Sequence, residues 1–479
     1  MVVKWVIILV YCAMIIAIGV IGLRRTRTFG DFFLAGGKVG PWLTAFSYGA
    51  AYFSAVLFIG FAGKVGWSFG YSGLWIALGN ALVGVLAVWW LLGPKVKDMS
   101  NQLGIATMSE YFEKRYHSKF LKVFSSVVVF VFFIPYSAAV FIGLSYLFKA
   151  NFNMKYVLAL VFMGVFTAVY LVLGGYKSMT MVDIVFGIIM VTGAVILSLY
   201  TIDRGGGLSG VSASLSAIQP GLIKAVGPPG LWPLFCLVFI TSVAPWGMPQ
   251  LVQKFYAIKD KQSIRTGMIA STLFALVFTS AAYFIGASTR VFLTPGKNPS
   301  AFVDGRPVFD ALIPELIARV IPASLSIFIL LLILSASMST LAAVVLISGS
   351  SLTKDLYSGF INRSASEKRL TLLMRLSTGF FILLSVILAY FKPATIVAIM
   401  SLTLGAVGSV FLGPFVWGLF WKRTNKIGAI SSSLLGFLTC LVLYLTGMSP
   451  PEASCIGMIV SLVVAPVMSL LTPAAGESI

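Results

Sequence analysis

A chain of 479 residues that is 59% hydrophobic, only 10% charged and has a mean hydropathy of +1.01 falls outside the soluble class, in which about a quarter of residues carry charge. The formal net charge of +20 would suggest nucleic acid in a soluble protein, but in a chain this apolar it has to be read along the loops. All four cysteines lie in apolar runs without a CxxC pair, and the one histidine, His117, sits in the charged stretch "EKRYHSKF"; neither disulfides nor a zinc site is indicated.

In chain order, thirteen apolar runs of about 18 to 30 residues are long enough to cross a hydrocarbon core of about 30 Å as helices. They lie near 4–23, 41–63, 71–93, 120–147, 155–173, 181–201, 231–252, 266–288, 320–350, 370–391, 394–421, 427–447 and 453–472. The first is too long for a signal peptide and is followed by "RRTRTFGDFF" rather than a small-residue cleavage site, so it is kept as a span. With the N-terminus outside, the inner loops hold 23 basic residues and the outer segments ten. That bias is the positive-inside signature, so the charge reads as topology and as contact with anionic headgroups of the lipid bilayer. Nucleic acid is not implied, nor is an obligate protein partner, and the C-terminus is placed in the cytoplasm of a cell whose inner membrane holds the chain.

No loop exceeds about thirty residues, so residues 1–479 read as a single all-α transport domain. Secondary transporters are often built from inverted repeats whose matching spans are interrupted by Gly or Pro. Two runs qualify. The second, "PWLTAFSYGAAYFSAVLFIGFAG", holds Gly49, Gly60 and Gly63, and the seventh, "LWPLFCLVFITSVAPWGMPQ", holds Pro233, Pro245, Gly247 and Pro249. Their spacing of five runs suggests repeats over 41–201 and 231–421, preceded by one helix at 4–23 and followed by two at 427–472. Each proline removes a backbone donor and frees a carbonyl in the membrane.

The ninth run contains "LSASMSTLAAVVLISGSSLTKDLY", with no charge before Lys354. Ala336, Ser339 and Thr340 stand at i, i+3 and i+4 and share one helix face. A hard monovalent cation such as Na⁺ wants neutral oxygens, and an unwound helix supplies carbonyls, with "GAAYFSA" near Ala50 and Phe53 as the partner. The other reading is that these hydroxyls bond back to i−4 carbonyls or let helices pack closely.

Four stretches, "ILSASMSTLAAVVLISGSSLTKDLY", "GGYKSMTMVDIVFG", "FFLAGGKVGPWLTAFSYGAAYFSAVLFIG" and "WGMPQLVQKFYAIKD", resemble the sodium:solute symporter family, most of all its bacterial sodium/proline branch, over about residues 5 to 430. The resemblance implies the leucine-transporter fold of two inverted five-helix repeats with an added N-terminal helix. It implies a Na⁺ site made of the carbonyls of Ala50, Phe53 and Ala336 and the hydroxyls of Ser339 and Thr340, with Na⁺ as the coupling ion. Asp183, the one carboxylate within a run, is either an interfacial residue or a functional one; the family has an aspartate there, beside a second cation path.

For the substrate, Tyr136 in "FFIPYSAAVF" matches a tyrosine lining the cavity of the proline branch. Where that branch has an aspartate in the second run this chain has Tyr52, and where it has a tryptophan and a tyrosine in the seventh it has Thr241 and Pro245. Trp246 stands adjacent, and Tyr52 and Ser54 complete the expected substrate residues. Proline or a similar amino acid is the leading solute, with pantothenate, a short monocarboxylate or proton coupling as alternatives. From other classes, "GYSG" at 70–73 and "GLSG" at 207–210 fit an intramembrane protease only if a base lies near the serine, and no HExxH or P-loop is present. An enzyme is not expected; a channel or membrane sensor is the remaining alternative.

Overall fold

The computed structural model describes residues 2–25, 29–34 and 39–473. Arg27 and Lys38 of the first basic cluster, the centre of "FFLAGGKVG" and the C-terminal end assigned to the cytoplasm lie outside the described residues. Among the described residues the strands are limited to one two-residue pairing, Phe302–Val303 with Arg306–Pro307. Eleven helices among the described residues are long and apolar enough to cross a membrane, or twelve when Leu231–Gly247 and Pro249–Ala257, bent by 41°, are taken as one broken span.

The difference from thirteen runs is one of continuity. Val56–Leu103 is a single helical stretch of 48 residues, about 72 Å if straight, more than twice a hydrocarbon core. It folds back on itself: the Tyr48 hydroxyl donates to the Gly84 carbonyl at 3.0 Å, and Tyr52 donates to Asn80 Oδ1 at 3.3 Å. Both pairs are centred on residue 66, as an antiparallel hairpin requires. The turn follows at Gly70, where φ is +59° and a Cβ would lie 2.2 Å from the Leu222 carbonyl oxygen, so only glycine fits. Gly175, at φ +63°, likewise divides Tyr156–Arg204 between the fifth and sixth runs.

Two spans are interrupted, where the Gly/Pro pattern places the breaks. The helix Pro41–Tyr52 stops at Phe53, whose backbone is extended (φ −111°, ψ 113°), and the chain becomes helical again at Val56. Ser54 accepts a hydrogen bond from the Val56 amide at 3.1 Å and so caps the restart. In the seventh span, Leu231–Val243 passes through a tight turn at Ala244–Gly247 and an extended Met248 before Pro249–Ala257 begins. Pro245 and Pro249 cannot donate amide hydrogen bonds, which favours the break at this point.

The helix Ala323–Ser350, prolonged to Ile361, is the innermost element: 94% of its most apolar window is buried. It packs against Tyr156–Arg204, Lys119–Phe152 and Pro41–Tyr52. The helices Lys426–Leu445 and Pro450–Leu471 pack on Ile396–Phe420 through small residues, with Gly413 against Ser432 and Ser461 and Gly405 against Ser454. In the connection before Ala323, Asp310 accepts from the Ile396 amide at 3.2 Å and ties that segment to the start of Ile396–Phe420.

Gly66 and Gly286 mark the closest approach of Val56–Gly66 to Lys261–Phe292. A Cβ on Gly286 would lie 2.0 Å from the Ala62 carbonyl oxygen, where backbone has no room to move aside. Gly286→Ala is therefore expected to cost about 1 to 3 kcal/mol through overpacking, read as a lower melting temperature of the detergent-solubilised protein. Gly379→Ala, which meets nothing within 4 Å, should leave it unchanged or raise it.

Candidate ion and substrate site

The hydroxyls of the ninth span each serve a different neighbour. Ser335 hydrogen-bonds Tyr11 of the first helix at 3.0 Å. The Ala55 amide, at the break of the second span, donates to Ser337 Oγ at 3.3 Å. Ser339 donates to Asp183 Oδ1 at 2.6 Å. Thr340 donates to the carbonyls of Ala50 and Ala51 at 3.1 and 3.2 Å. These carbonyls belong to the last turn of Pro41–Tyr52, where the helix ends before it can supply amide partners. Helix spacing alone leaves back-bonding to i−4 open, and Ser337 does so, donating to Ile333 at 2.6 Å; Ser339 and Thr340 instead reach across to other spans.

The expected ion ligands are thus divided between two adjoining places. Ala50 and Thr340 meet directly, and Phe53 stands at the extended residue just beyond them. Ala336 is buried within the same ninth helix, one turn before Thr340. Ser339 turns to Asp183, and its oxygen keeps lone pairs for a cation. Asp183 is fully buried, and its second carboxylate oxygen has no hydrogen-bond partner. No group of three or more His, Cys, Asp or Glu side chains suited to a divalent metal occurs among the described residues; the oxygens gathered at Thr340 are neutral, which suits a monovalent ion.

Beside this lies a narrow cavity, with about 520 Å³ of space not filled by protein atoms, part of it open to solvent. Tyr52, Ser54, Tyr136, Asn80, Thr241 and Gln250 line it together with apolar side chains, and none of its lining residues is charged. Tyr52 donates to the Thr241 carbonyl and to Asn80, linking the two broken spans, and Ser242 donates to the same Asn80 oxygen at 3.2 Å. Tyr52, Ser54 and Tyr136 are therefore brought together as expected. Trp246 is not: it is partly exposed, and its indole nitrogen donates to the Val83 carbonyl at 3.0 Å, away from the cavity. The tight turn at Ala244–Gly247 causes this, since it presents Pro245 inward and carries the next residue outward.

Three residues escape the sequence reading. Asn80 and Gln250 look like ordinary polar residues of membrane helices; their only signal is polarity opposite the two broken segments. Lys254 is counted above with a cytoplasmic basic loop, yet it is fully buried on Pro249–Ala257 and donates to Ser47 at 2.6 Å. Nor is Asp183 the sole carboxylate in a long apolar helix, because Asp355, near the end of the prolonged ninth span, is buried and accepts from Thr107 at 2.7 Å.

Two interrupted spans with a neutral cavity between them, the first bonded to an unbroken hydroxyl-bearing helix, define a leucine-transporter-type secondary transporter. A solved Na⁺-coupled sialic acid symporter in a substrate-bound outward-open state superimposes with a TM-score of 0.85 over 99% of each chain at 19% identity. The family model for the sodium:solute symporter family matches residues 32–436, and the chain belongs to that family. Relatives include the osmoregulated proline transporter OpuE of Bacillus subtilis (strain 168), 27% identical over 97% of this chain and 94% of its own. The sodium/pantothenate symporter of Haemophilus influenzae (strain ATCC 51907 / DSM 11121 / KW20 / Rd) is 26% identical over 87% and 85%. The protein is a membrane transporter that couples inward Na⁺ movement to the uptake of a small organic solute.

If the Thr340 junction holds the coupling ion, Thr340→Ala and Ser339→Ala each remove one oxygen yet leave the helix able to form. Each should raise the Na⁺ concentration for half-maximal uptake by about three- to tenfold, the scale of one hydrogen bond. Uptake titrated against Na⁺ in proteoliposomes reads this; an unchanged Na⁺ dependence in both would remove these residues from the site.

Proposed function

We propose that the solute is proline or a similar small amino acid, bound in the neutral cavity while Na⁺ is held by Ala50, Phe53, Ala336, Ser339 and Thr340, with Asp183 on a second cation path. The observation that carries this reading is the bonding of Thr340 to the Ala50 and Ala51 carbonyls at the break of the second span. A cation can take over these oxygens, replacing a hydrogen bond by ion coordination without placing a fixed charge in the membrane.

The cavity supports a net-neutral solute, because an uncharged lining offers no counter-charge for an ion. A zwitterion can rest its carboxylate on the N-terminal ends of Val56–Gly66 and Pro249–Ala257, whose Val56, Leu57 and Gln250 line the space. A proline transporter among the relatives supports proline, and the sodium/pantothenate symporter keeps pantothenate as the comparison to run. In alternating access, Na⁺ stabilises the outward-facing arrangement, the solute joins it, and both cross as the repeats at 41–201 and 231–421 rock. One charge moving inward gains about 2.3 kcal/mol per 100 mV, enough to concentrate a neutral solute about fiftyfold.

The N-terminus outside and the C-terminus inside follow from the basic-loop bias and belong to the same proposal, as does transport without catalysis. Ser72 of "GYSG" spends its hydroxyl on the Phe69 carbonyl at 2.8 Å, and His117 lies at a helix end remote in sequence.

Labelled proline should enter proteoliposomes under an inward Na⁺ gradient and be competed weakly by pantothenate. Tyr136→Ala should weaken solute affinity by about 1 to 3 kcal/mol through loss of an aromatic and polar contact, whereas Trp246→Ala should have the smaller effect; the reverse order would move the cavity. Coupling to Na⁺ rather than H⁺ is tested separately. Uptake should follow the Na⁺ gradient in the wild type and be weakened by Asp183→Asn, and uptake driven by a pH gradient without Na⁺ would overturn it.

A further inference from the structure

Lys254 is buried to the same degree as Asp183, and each is the charge that acts on the other. They do not touch. Among the described residues no direct ion pair joins them; the Ser47 hydroxyl stands between, accepting from Lys254 Nζ at 2.6 Å and interacting with the Asp183 carboxyl. The ammonium also lies 4.9 Å from the centroid of the Tyr176 ring. Asp183 gives one oxygen to Ser339 and keeps the other without a hydrogen-bond partner.

A lysine and an aspartate buried only to hold helices together gain most by closing to contact, since attraction rises steeply at short range in a low dielectric. This pair stops short and leaves an acceptor unused. The two charges also belong to different kinds of element. Lys254 and Ser47 sit on Pro249–Ala257 and Pro41–Tyr52, halves of the two interrupted spans, whereas Asp183 sits on Met179–Arg204, which follows the Gly175 kink, and Ser339 on Ala323–Ser350. Movement of the broken halves therefore changes the distance between ammonium and carboxylate.

We propose that Lys254 is a tethered cation that competes with Na⁺ for the Asp183 carboxylate, lowering the affinity of that place for the ion and neutralising the carboxylate when the ion has left. The inference rests on the reading of Asp183 as a cation ligand given above. With Na⁺ beside Asp183, two cations share one carboxylate, and their repulsion speeds release; once Na⁺ is gone, the ammonium keeps a buried negative charge from standing alone. Lys254 acts here as a specificity and release residue for the ion.

The sign of the effect separates this from a structural role. Lys254→Gln keeps a hydrogen-bond donor near Ser47 and removes the charge; Na⁺ binding to the purified full-length protein should tighten by roughly tenfold, as loss of a nearby like charge requires. Maximal uptake should fall at the same time because release slows, and Lys254→Arg should stay near wild type in both. Lys254→Met, which keeps the length of the side chain, serves as the second variant should Lys254→Gln not yield a monodisperse protein. Weakened or unchanged Na⁺ binding in the neutral variants, with Asp183→Asn weakened, overturns the competition but leaves Asp183 as a ligand. Unchanged Na⁺ binding in Asp183→Asn overturns both.

Discussion

A helix that stops inside a membrane leaves carbonyls and amides with no water to satisfy them, and the architecture is arranged around supplying their partners. The ends of Pro41–Tyr52 and Val56–Gly66 are met by Ser337 and Thr340 of the ninth span and by Ser54 of the break itself. That is why the innermost helix is rich in hydroxyls and carries no charge from Ala323 to Thr353. A hydroxyl can hold a carbonyl or share a lone pair with an ion, so the groups that close the break can also hold Na⁺. In the proposed ion site, the atoms that stabilise the break are also those that would hold the ion.

Formal charges are absent from the lining of the cavity between the broken spans. Tyr52, in a position where an aspartate would place a charge, instead links Thr241 to Asn80 with its hydroxyl. The neighbouring Asp183 and Lys254 balance one another through Ser47. A neutral cavity next to a compensated pair allows ion and solute to be recognised by different groups, and linkage then makes their binding mutually dependent.

Close packing limits which parts can move. Gly66, Gly286 and Gly70 let backbone meet backbone at the outer hairpin, and the final two helices lock onto Ile396–Phe420 through serine and glycine. Pro249–Ala257 follows Leu231–Gly247 through an extended Met248.

The sequence by itself determined the class, the apolar runs, the two interrupted spans and the face carrying Ala336, Ser339 and Thr340, because hydropathy, proline and helical spacing act locally along the chain. It also singled out Asp183, since a carboxylate in lipid is costly wherever the fold puts it. Only the tertiary structure decided which hydroxyl meets which partner. Ser339 and Thr340 are adjacent in the chain yet about 100° apart around the helix, so one reaches Asp183 and the other the broken span. The direction of Trp246 was likewise set by the turn at Ala244–Gly247, and Asn80 and Gln250 became cavity residues through contacts distant in sequence. Lys254 was the deepest of these: a lysine after an apolar run reads as a loop charge by position, and its burial follows from the bend that carries Pro249–Ala257 back against Ser47 of Pro41–Tyr52.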